Sequence, residues 1–470
     1  MRRSDFLAGV VASAAASSQS RRPVWLHAFP LAHDIHPYRD AEIGVDEISW
    51  LYADGLVGWN NGVVPLLAAQ LPDVRDGGRR LRYVLRRAIW HDGRPFVAQD
   101  VAVALAALRE TRWGSYEPYR WIRGDIIIRN DYEFDVLLDS PRPRFVRSFF
   151  GPYGTPALPL IRLAPDGRTP IGTGPFAVRA HPEPERWRLE RFDRSPRGKP
   201  RLDAIELRLV PGDAKAISNE PDILLPIPAD AVGAGRFRRV HRLTSTAVLV
   251  FNTTGIFGDS AIRRAFAGGA NMPLLQRAYD PAKENLVASL LMTGDDDPAL
   301  KRMLAFDSGA ATSLQSRLQG REPVFSFIRG NKHHEQTQLI LRQNLPGVAW
   351  QMNGTTTLAY MSEQGPLRTG RFDLAISGLI YDDQPDLAAD WSCAGGKPVP
   401  GNFARWCDAG FESAVARNDM AAALRRLYDE LPCIPLTRAR EDIGVSRIEG
   451  LDAPAPLTPA TYGCNRWVAQ

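Results

Sequence analysis

The sequence predicts an α/β protein that is large enough for more than one domain. Two stretches carry this prediction, since residues 81–108 and residues 324–345 each read as a strand followed by a helix. The length of 470 residues is sufficient for two or three domains and a large core. Strands that alternate with helices along the chain are typical of α/β folds.

The first of these stretches combines a strand, a tight turn and a helix. In its first part, Tyr83 and Leu85 alternate with other side chains in the period-two pattern of a half-buried strand. Asp92-Gly93 is a turn signal. After Asp100 the apolar residues recur at helical spacing, which predicts a helix with one buried face: Val101, Leu105 and Leu108.

His91 and Asp92 within this stretch raise the question of an acid–base pair. They are neighbours in a turn, so their side chains need not converge on one point. A motif of two residues is only a hypothesis, and a structural role in the turn is the favoured interpretation. At the helix start, Val97 stands where a threonine would complete a capping box with Asp100.

Composition excludes several classes of protein. With 44% hydrophobic and 24% charged residues the chain is globular rather than disordered. The formal net charge of +5 is small for this length, and the arginines are scattered. Nucleic-acid binding needs a clustered basic face, so no nucleic-acid partner is expected. No segment after the N-terminus approaches the ~18 apolar residues of a membrane span.

The N-terminus reads as an export signal over residues 1–20. Arg2-Arg3 precede an apolar stretch, and Ala14-Ala15-Ala16 is a small-residue cleavage site. The start resembles a twin-arginine signal shifted by one residue, so the export route stays open. No cysteine follows the cleavage site, and a lipoprotein anchor is not predicted. We expect a soluble, periplasmic protein.

Several ordered motifs together resemble one family. They include the residues around Trp90-His91-Asp92-Gly93, the turn Gly172-Thr173-Gly174-Pro175-Phe176, and the strand Leu431-Pro432-Cys433-Ile434-Pro435-Leu436. The chain is similar in these motifs to the family 5 extracytoplasmic solute-binding proteins, the peptide- and nickel-binding receptors of ABC importers. The resemblance extends over nearly all of residues 24–467.

The resemblance implies a type II periplasmic-binding-protein fold of cluster C, in which two α/β lobes are joined by hinge strands and a small extra domain is added. Domain I is expected at residues 21–53, 171–250 and 440–470. Domain II, the small domain that packs on domain I, is expected at residues 54–170. Domain III, the second lobe, is expected at residues 251–439.

The resemblance also implies a ligand anchor after the strand at residues 372–379. In the family's peptide receptors an aspartate here binds the free ammonium group of the ligand. Asp382 matches by position, and Asp383 is a near alternative. Leu379 replaces the family's tryptophan, which removes an aromatic wall. The competing interpretation is that the acidic cluster caps a helix that starts near Pro385.

Four further residues are candidates for lining the ligand site. Asn252 ends the buried strand at residues 247–252, and three tryptophans are candidate cleft walls: Trp59, Trp391 and Trp406. For each tryptophan, core packing is the more common role and the favoured one.

The cysteines fit an oxidising compartment. Cys393 and Cys407 flank a loop rich in glycine and proline, and similar peptide receptors carry a disulfide in the matching segment. Cys433 and Cys464 either pair or stay free. No CxxC pair is present, and a metal site is not expected.

The resemblance implies a monomeric substrate-binding protein of an ABC importer. Its expected partners are a peptide or similar small solute and the permease subunits in the membrane, without a cofactor. The alternative is a sensor or scavenger of a non-peptide solute such as a metal chelate, without an importer. No arrangement of nucleophile and base or of paired carboxylates stands out, so an enzyme is not expected.

Overall fold

The computed structural model describes residues 23–28, 35–38, 45–111, 114, 118–142, 144–153, 157–183, 185–210, 220–226, 234–279, 286–356, 359–360, 362, 364–381, 385–452 and 458–470. The predicted export signal at residues 1–20 lies outside these ranges.

Helices and strands alternate along most of the chain. The α-helices are α1 Val45–Ser49, α2 Ala98–Arg109, α3 Phe145–Ser148, α4 Ser260–Gly269, α5 Met272–Tyr279, α6 Pro298–Leu304, α7 Ser308–Leu318, α8 Lys332–Asn344, α9 Pro366–Thr369, α10 Leu387–Trp391, α11 Ala409–Ala416 and α12 Met420–Glu430. The strands are β1 Val24–Ala28, β2 Val57–Trp59, β3 Val63–Pro65, β4 Asp73–Arg75, β5 Arg80–Val84, β6 Ile127–Asn130, β7 Glu133–Leu137, β8 Arg162–Leu163, β9 Pro170–Ile171, β10 Phe176–Glu183, β11 Arg186–Arg191, β12 Ala204–Leu209, β13 Ile223–Leu225, β14 Arg238–Phe251, β15 Val324–Ile328, β16 Gln351–Thr355, β17 Leu374–Leu379, β18 Cys393–Ala394, β19 Lys397–Pro398, β20 Cys433–Val445, β21 Ile448–Glu449 and β22 Val468–Ala469.

A ten-stranded mixed sheet runs through both lobes in the order β10-β11-β12-β1-β13-β20-β14-β17-β15-β16. The first five strands belong to the first lobe, and the last three belong to the second. Parallel pairing occurs within each lobe, between β1 and its two neighbours and between β15 and its two neighbours. The strand-then-helix pattern of the sequence therefore corresponds to an α/β architecture, as predicted.

The two longest strands, β14 and β20, cross from one lobe to the other side by side. They pair antiparallel from Arg238 opposite Val445 to Val250 opposite Cys433. In the second lobe, successive residues of β14 pack alternately into two different cores. Leu249 and Phe251 belong to one core, and Val248 and Val250 belong to the other. A strand that is covered on both faces reads as an unbroken apolar run, which is why residues 247–251 look uniformly hydrophobic.

A second, four-stranded sheet with the order β4-β5-β7-β6 lies within residues 54–170. Its strand β5 and the helix α2 form the strand, turn and helix predicted from residues 81–108. Tyr83 and Leu85 are buried, as are the three predicted helix residues Val101, Leu105 and Leu108. The side chains of this sheet share one continuous core with strands of the first lobe, so the small sheet packs directly on that lobe.

The turn after β5 contacts the Gly172–Gly174 turn through His91. The Nε2 atom of His91 lies 3.0 Å from the Gly174 carbonyl oxygen, and the Gly172 N–H donates to Nδ1 at 3.3 Å. Nδ1 must therefore be unprotonated, which defines a neutral imidazole with its hydrogen on Nε2. The neighbouring Asp92 instead pairs with Arg162 at 3.0 Å. The two side chains diverge, which confirms the structural interpretation of this turn.

Burial fixes the protonation state of His91 and gives a testable pH dependence. Desolvation lowers the pKa of His91 from 6.5 to about 4. Between these values the unfolded chain binds a proton that the folded chain does not, so stability falls as the pH falls. We expect a loss of up to roughly 3 kcal/mol from this residue between pH 6.5 and pH 4.

Urea unfolding from pH 4 to pH 7 measures this effect. His91→Asn should flatten the pH dependence of the unfolding free energy, because an amide replaces the titrating ring. His333→Asn, at an exposed position, should retain the wild-type dependence. Equal slopes for the wild type and His91→Asn would contradict this account.

A buried ion pair joins the start of the small-sheet region to the segment after β11. Asp54 is fully buried and accepts from Arg197 Nε at 2.6 Å and from the Thr173 hydroxyl at 3.1 Å. Arg197 also donates to three main-chain carbonyl groups, those of Trp50, Ala53 and Tyr462. Three of these partners lie within residues 50–54, and Tyr462 lies near the C-terminus, so this one guanidinium joins three separate segments of the chain.

The glycines of the Gly172–Gly174 turn permit a close approach rather than a special dihedral angle. A Cβ atom on Gly172 would collide with the carbonyl oxygen of Tyr52, and one on Gly174 would collide with the same peptide group. A glycine can supply a positive φ or room for close backbone approach, and the second role is the one found here.

Candidate ligand-binding site

The second lobe contributes an acidic wall that follows strand β17. Ile380 and Tyr381 continue from β17, residues 382–384 lie outside the described ranges, and Asp386 begins α10. One carboxylate oxygen of Asp386 accepts from the Ala389 N–H at 3.2 Å. Within the described part of the chain its other oxygen, Oδ2, is buried without a hydrogen-bond partner. Asp386 therefore caps the helix and keeps acceptor capacity on its second oxygen.

Asp390 is the second described carboxylate of this wall. Trp391 Nε1 donates to the Tyr381 hydroxyl at 2.7 Å, and that hydroxyl donates to Asp390 Oδ2 at 2.8 Å. Burial raises the pKa of Asp390, while the guanidinium groups of Arg144 and Arg120 act in the opposite direction. The wall thus combines carboxylates with a fixed chain of hydrogen bonds, and cations from the small-sheet region lie near it.

The small-sheet region, residues 54–170, contributes an aromatic and cationic wall. Arg144 directly precedes α3, and Arg147 lies within it. The guanidinium of Arg147 lies 4.7 Å from the centre of the Tyr153 ring, a cation–π distance. Tyr153 stacks on Trp59 with ring centres 4.2 Å apart. Arg147 and Tyr153 are almost fully buried, so this part of the wall is largely shielded from solvent.

The two walls meet directly. Arg144 Nη1 donates to the Ile380 carbonyl at 3.0 Å, and its guanidinium carbon lies 5.7 Å from the Tyr381 ring centre. Tyr153 and Met292 form a buried apolar pair across the same boundary. We call this contact region the interlobe seam, and it comprises Trp59, Arg144, Tyr153, Leu243, Met292, Ile380 and Tyr381. Across the seam, the guanidinium groups of Arg144 and Arg120 act electrostatically on Asp390.

The predicted anchors Asp382 and Asp383 lie outside the described residues. Their neighbours on both sides are described, and Tyr381 belongs to the interlobe seam. Of the acidic cluster, Asp386 performs the helix-capping role that was the competing interpretation. An anchoring role for Asp382 or Asp383 stays a prediction.

The other predicted ligand-binding residues divide between the seam and the second lobe. Trp59 lies at the seam. The side-chain amide of Asn252 donates to the carbonyls of Gly370 and Phe372 and accepts from the Thr254 N–H. Both ends of this amide are therefore occupied. Two tryptophans, Trp391 and Trp406, are 2% and 6% exposed within the second-lobe core. These contacts support structural roles for the last three residues, and their ligand-binding role stays a prediction.

The loop bounded by Cys393 and Cys407 braces the acidic wall. These cysteines form a disulfide, as predicted, with Cα atoms 5.7 Å apart. Inside the loop, Asn402 Nδ2 donates to the Trp391 carbonyl at 3.0 Å. A Cβ atom on Gly401 would collide with the Ala389 carbonyl at the centre of α10. The loop therefore packs against the helix that carries Asp390. The other two cysteines, Cys433 and Cys464, are buried and unpaired.

Removal of this disulfide should destabilise the second lobe. Closing a loop of this length removes unfolded-state entropy worth about 3 kcal/mol in the chain-entropy model. We expect Cys393→Ser/Cys407→Ser to lose a comparable unfolding free energy in urea under oxidising conditions. Wild-type protein treated with a reductant is the matched control and should approach the variant. A variant as stable as the oxidised wild type would contradict this expectation.

Sequence reasoning missed most of the seam and the charged residues beside it. The seam residues Arg144, Tyr153 and Met292 were not singled out, and neither were the neighbouring Arg147 and Asp390. Arginines three residues apart next to aromatic residues were the available signal. Nothing in the local sequence indicates that Met292 lies opposite Tyr153.

The described helices include none that is long and apolar enough to cross a membrane.

Two lobes that share a sheet through two crossing strands are the architecture of the type II periplasmic binding proteins, as predicted. The chain belongs to the bacterial extracellular solute-binding proteins, family 5, whose model of the middle region matches residues 62–314, more than half of the chain. The family resemblance inferred from the motifs is therefore confirmed.

Two curated relatives match part of the chain. It is 27% identical over 315 residues to the probable ABC transporter periplasmic-binding protein SapA of Escherichia coli K12. It is 26% identical over 313 residues to the peptide transport periplasmic protein SapA of Salmonella typhimurium LT2. Each match covers 57% of this chain and 54% of the relative, so the chain spans about half the length of these relatives.

Solved structures share the fold at low identity. The periplasmic binding protein AgaA of Agrobacterium tumefaciens R10, in complex with agropinic acid, aligns with a TM-score of 0.72 at 14% identity, covering 96% of this chain and 99% of AgaA. DppA of Helicobacter pylori, in complex with the peptide STSA, aligns with a TM-score of 0.68 at 14% identity, covering 97% of this chain and all of that chain. NikZ of Campylobacter jejuni, in complex with Ni(L-His), aligns with a TM-score of 0.65 at 14% identity, covering 95% of this chain and 99% of NikZ.

Proposed function

We propose that the protein is the substrate-binding component of an ABC importer, which binds a peptide or similar small solute between its lobes and delivers it to permease subunits. The observation that supports this most is the interlobe seam. It brings Arg144 against Ile380 and Tyr381, within electrostatic reach of Asp390, and it brings the Trp59–Tyr153 stack against Met292. Such walls suit a solute that carries charge and apolar surface together.

The same proposal includes location, assembly and the division into domains. The protein acts in the periplasm as a monomer, with a domain I, a small domain II at residues 54–170 and a second lobe at residues 251–439. It captures its ligand without chemical conversion. The relatives are a probable ABC transporter periplasmic-binding protein and a peptide transport periplasmic protein, which favours this proposal over an enzyme.

Asp382, or Asp383, is proposed as the anchor for a ligand ammonium group. An unpaired acceptor on Asp386 and the raised pKa of Asp390 indicate that the surrounding wall is poorly solvated. In such a place a carboxylate gains from a cationic partner. An extended peptide would add main-chain hydrogen bonds.

A non-peptide solute such as a metal chelate is the second candidate. Leu379, which stands in place of the family's tryptophan, is buried in the second-lobe core. This position therefore offers no aromatic wall for a peptide. That AgaA and NikZ are named with non-peptide ligands supports keeping this candidate.

Native mass spectrometry of the full protein purified without denaturation tests the proposal. A carried-over mass that fragments into amino acids supports a peptide receptor, and a metal-containing mass supports the chelate alternative. The same preparation is titrated by calorimetry with Ala-Ala-Ala. Absence of any small-molecule adduct together with absence of heat on titration would count against peptide binding.

A further inference from the structure

Arg144 reaches from the small-sheet region to the second lobe, two parts of the chain that are 236 residues apart. It donates to the Ile380 carbonyl and lies over the Tyr381 ring. Its charge also acts on Asp390. One guanidinium therefore contacts the second lobe through a hydrogen bond, an aromatic face and an electrostatic attraction.

The contacted residues have a particular place in the chain. Ile380 and Tyr381 directly follow β17. Tyr381 is tied to Asp390 within the second lobe, and Asp386 caps α10, the helix that carries Asp390. Ile380 and Tyr381 are thus held by the second lobe and are also contacted by Arg144 from the opposite wall.

We propose that Arg144 is a positioning residue that clasps Ile380 and Tyr381 and so fixes the closed contact of the lobes. The small-sheet region then takes part in ligand capture instead of only packing on the first lobe. The importance of the clasp for binding rests on the proposed function, whereas the contact itself rests on the geometry of Arg144, Ile380 and Tyr381.

The clasp biases the equilibrium between closed and open lobes. A contact made only when the walls meet favours the closed state by its own free energy. Loss of one charge-assisted hydrogen bond and its aromatic contact should lower the closed-to-open ratio about tenfold, which corresponds to about 1.4 kcal/mol. Met292 and Tyr153 would still be in contact, so closure is weakened but not abolished.

Distances between spin labels in the ligand-free full chain test the clasp. Labels are placed at Asp125→Cys, whose side chain is 98% exposed, and at Leu339→Cys, which is 51% exposed. The native thiols Cys433 and Cys464 are buried. In Arg144→Met, the ratio of the long-distance population to the short-distance population should rise about tenfold. Distance distributions identical to those of the wild type would overturn the proposal.

Two further variants separate positioning from general structure. Arg162 is a matched arginine outside the seam. It donates a charged hydrogen bond to Asp92, and its guanidinium lies over the Trp90 ring. Arg162→Met should leave the distances unchanged. Arg144→Lys keeps a cationic donor and should restore most of the short-distance population. If Arg144→Met does not fold, Arg144→Gln takes its place. The clasp would be contradicted if the short-distance population of Arg144→Lys were no larger than that of Arg144→Gln.

Titration with Ala-Ala-Ala completes the test. If the wild type binds it, Arg144→Met should raise the Kd, by at most the tenfold change in the closed fraction. If the wild type does not bind it, peptide binding fails while the distance measurement still decides the clasp. The two proposals can therefore fail independently.

Discussion

Asp382→Asn should weaken the binding of Ala-Ala-Ala by at least about a hundredfold. Removing one partner from a buried, hydrogen-bonded charge pair costs roughly 3–5 kcal/mol, because the remaining charge stays desolvated. The prediction derives from the match of Asp382 to the family's ammonium anchor. Calorimetry of the full protein at one fixed salt concentration measures the effect.

N-acetylated Ala-Ala-Ala makes this experiment specific. Acetylation removes the ammonium group, so it should weaken binding to the wild type about as much as the substitution does. It should change the affinity of Asp382→Asn little. Asp383→Asn is the matched variant, since it changes the neighbouring carboxylate in the same way. If Asp383→Asn shows the large loss and Asp382→Asn does not, the anchor is Asp383. Equal small losses in both variants would refute an ammonium anchor at this loop.

Arg197→Met should lower the unfolding free energy by roughly 3–5 kcal/mol, because the substitution leaves Asp54 buried and uncompensated. The two side chains are 4% and 0% exposed and lie 2.6 Å apart. The carbonyls of Trp50, Ala53 and Tyr462 would also lose a donor. Urea unfolding at pH 7 provides the measurement.

Two comparison variants identify the cause of such a loss. Arg188→Met removes an ion pair with Glu206 whose arginine side chain is 43% exposed, and it should cost less than about 1 kcal/mol. Asp54→Leu/Arg197→Met removes both buried charges and should recover much of the stability, since replacing a whole pair by apolar residues is often neutral. A double variant less stable than Arg197→Met would show that packing, not charge, dominates.

Local features of the fold were predictable from the sequence. The period-two pattern at Tyr83 and Leu85, the Asp92-Gly93 turn and the helix after Asp100 all depend on residues close in the chain. The family match added the lobes and the pairing of Cys393 with Cys407. Such predictions succeed because backbone geometry and short-range burial largely determine them.

The seam and the buried ion pair could not be predicted in the same way. Arg197 and Asp54 are 143 residues apart, and periodicity says nothing about which distant side chains meet. Trp391 and Trp406 show the same limit, because a tryptophan in a core and one in a binding wall have the same local pattern. The difference lies in tertiary packing, which only the structure provides.

The pairing of β14 with β20 determines how the lobes can move. Their hydrogen bonds join both crossings into one antiparallel ribbon. A ribbon bends and twists with little change in its hydrogen bonds, but sliding one strand along the other would break the whole ladder. Motion of one lobe against the other is thus restricted to few directions. If the lobes were joined by separate, flexible tethers, they would lose more orientational entropy when they close on a ligand, so the paired strands lower the entropic cost of binding.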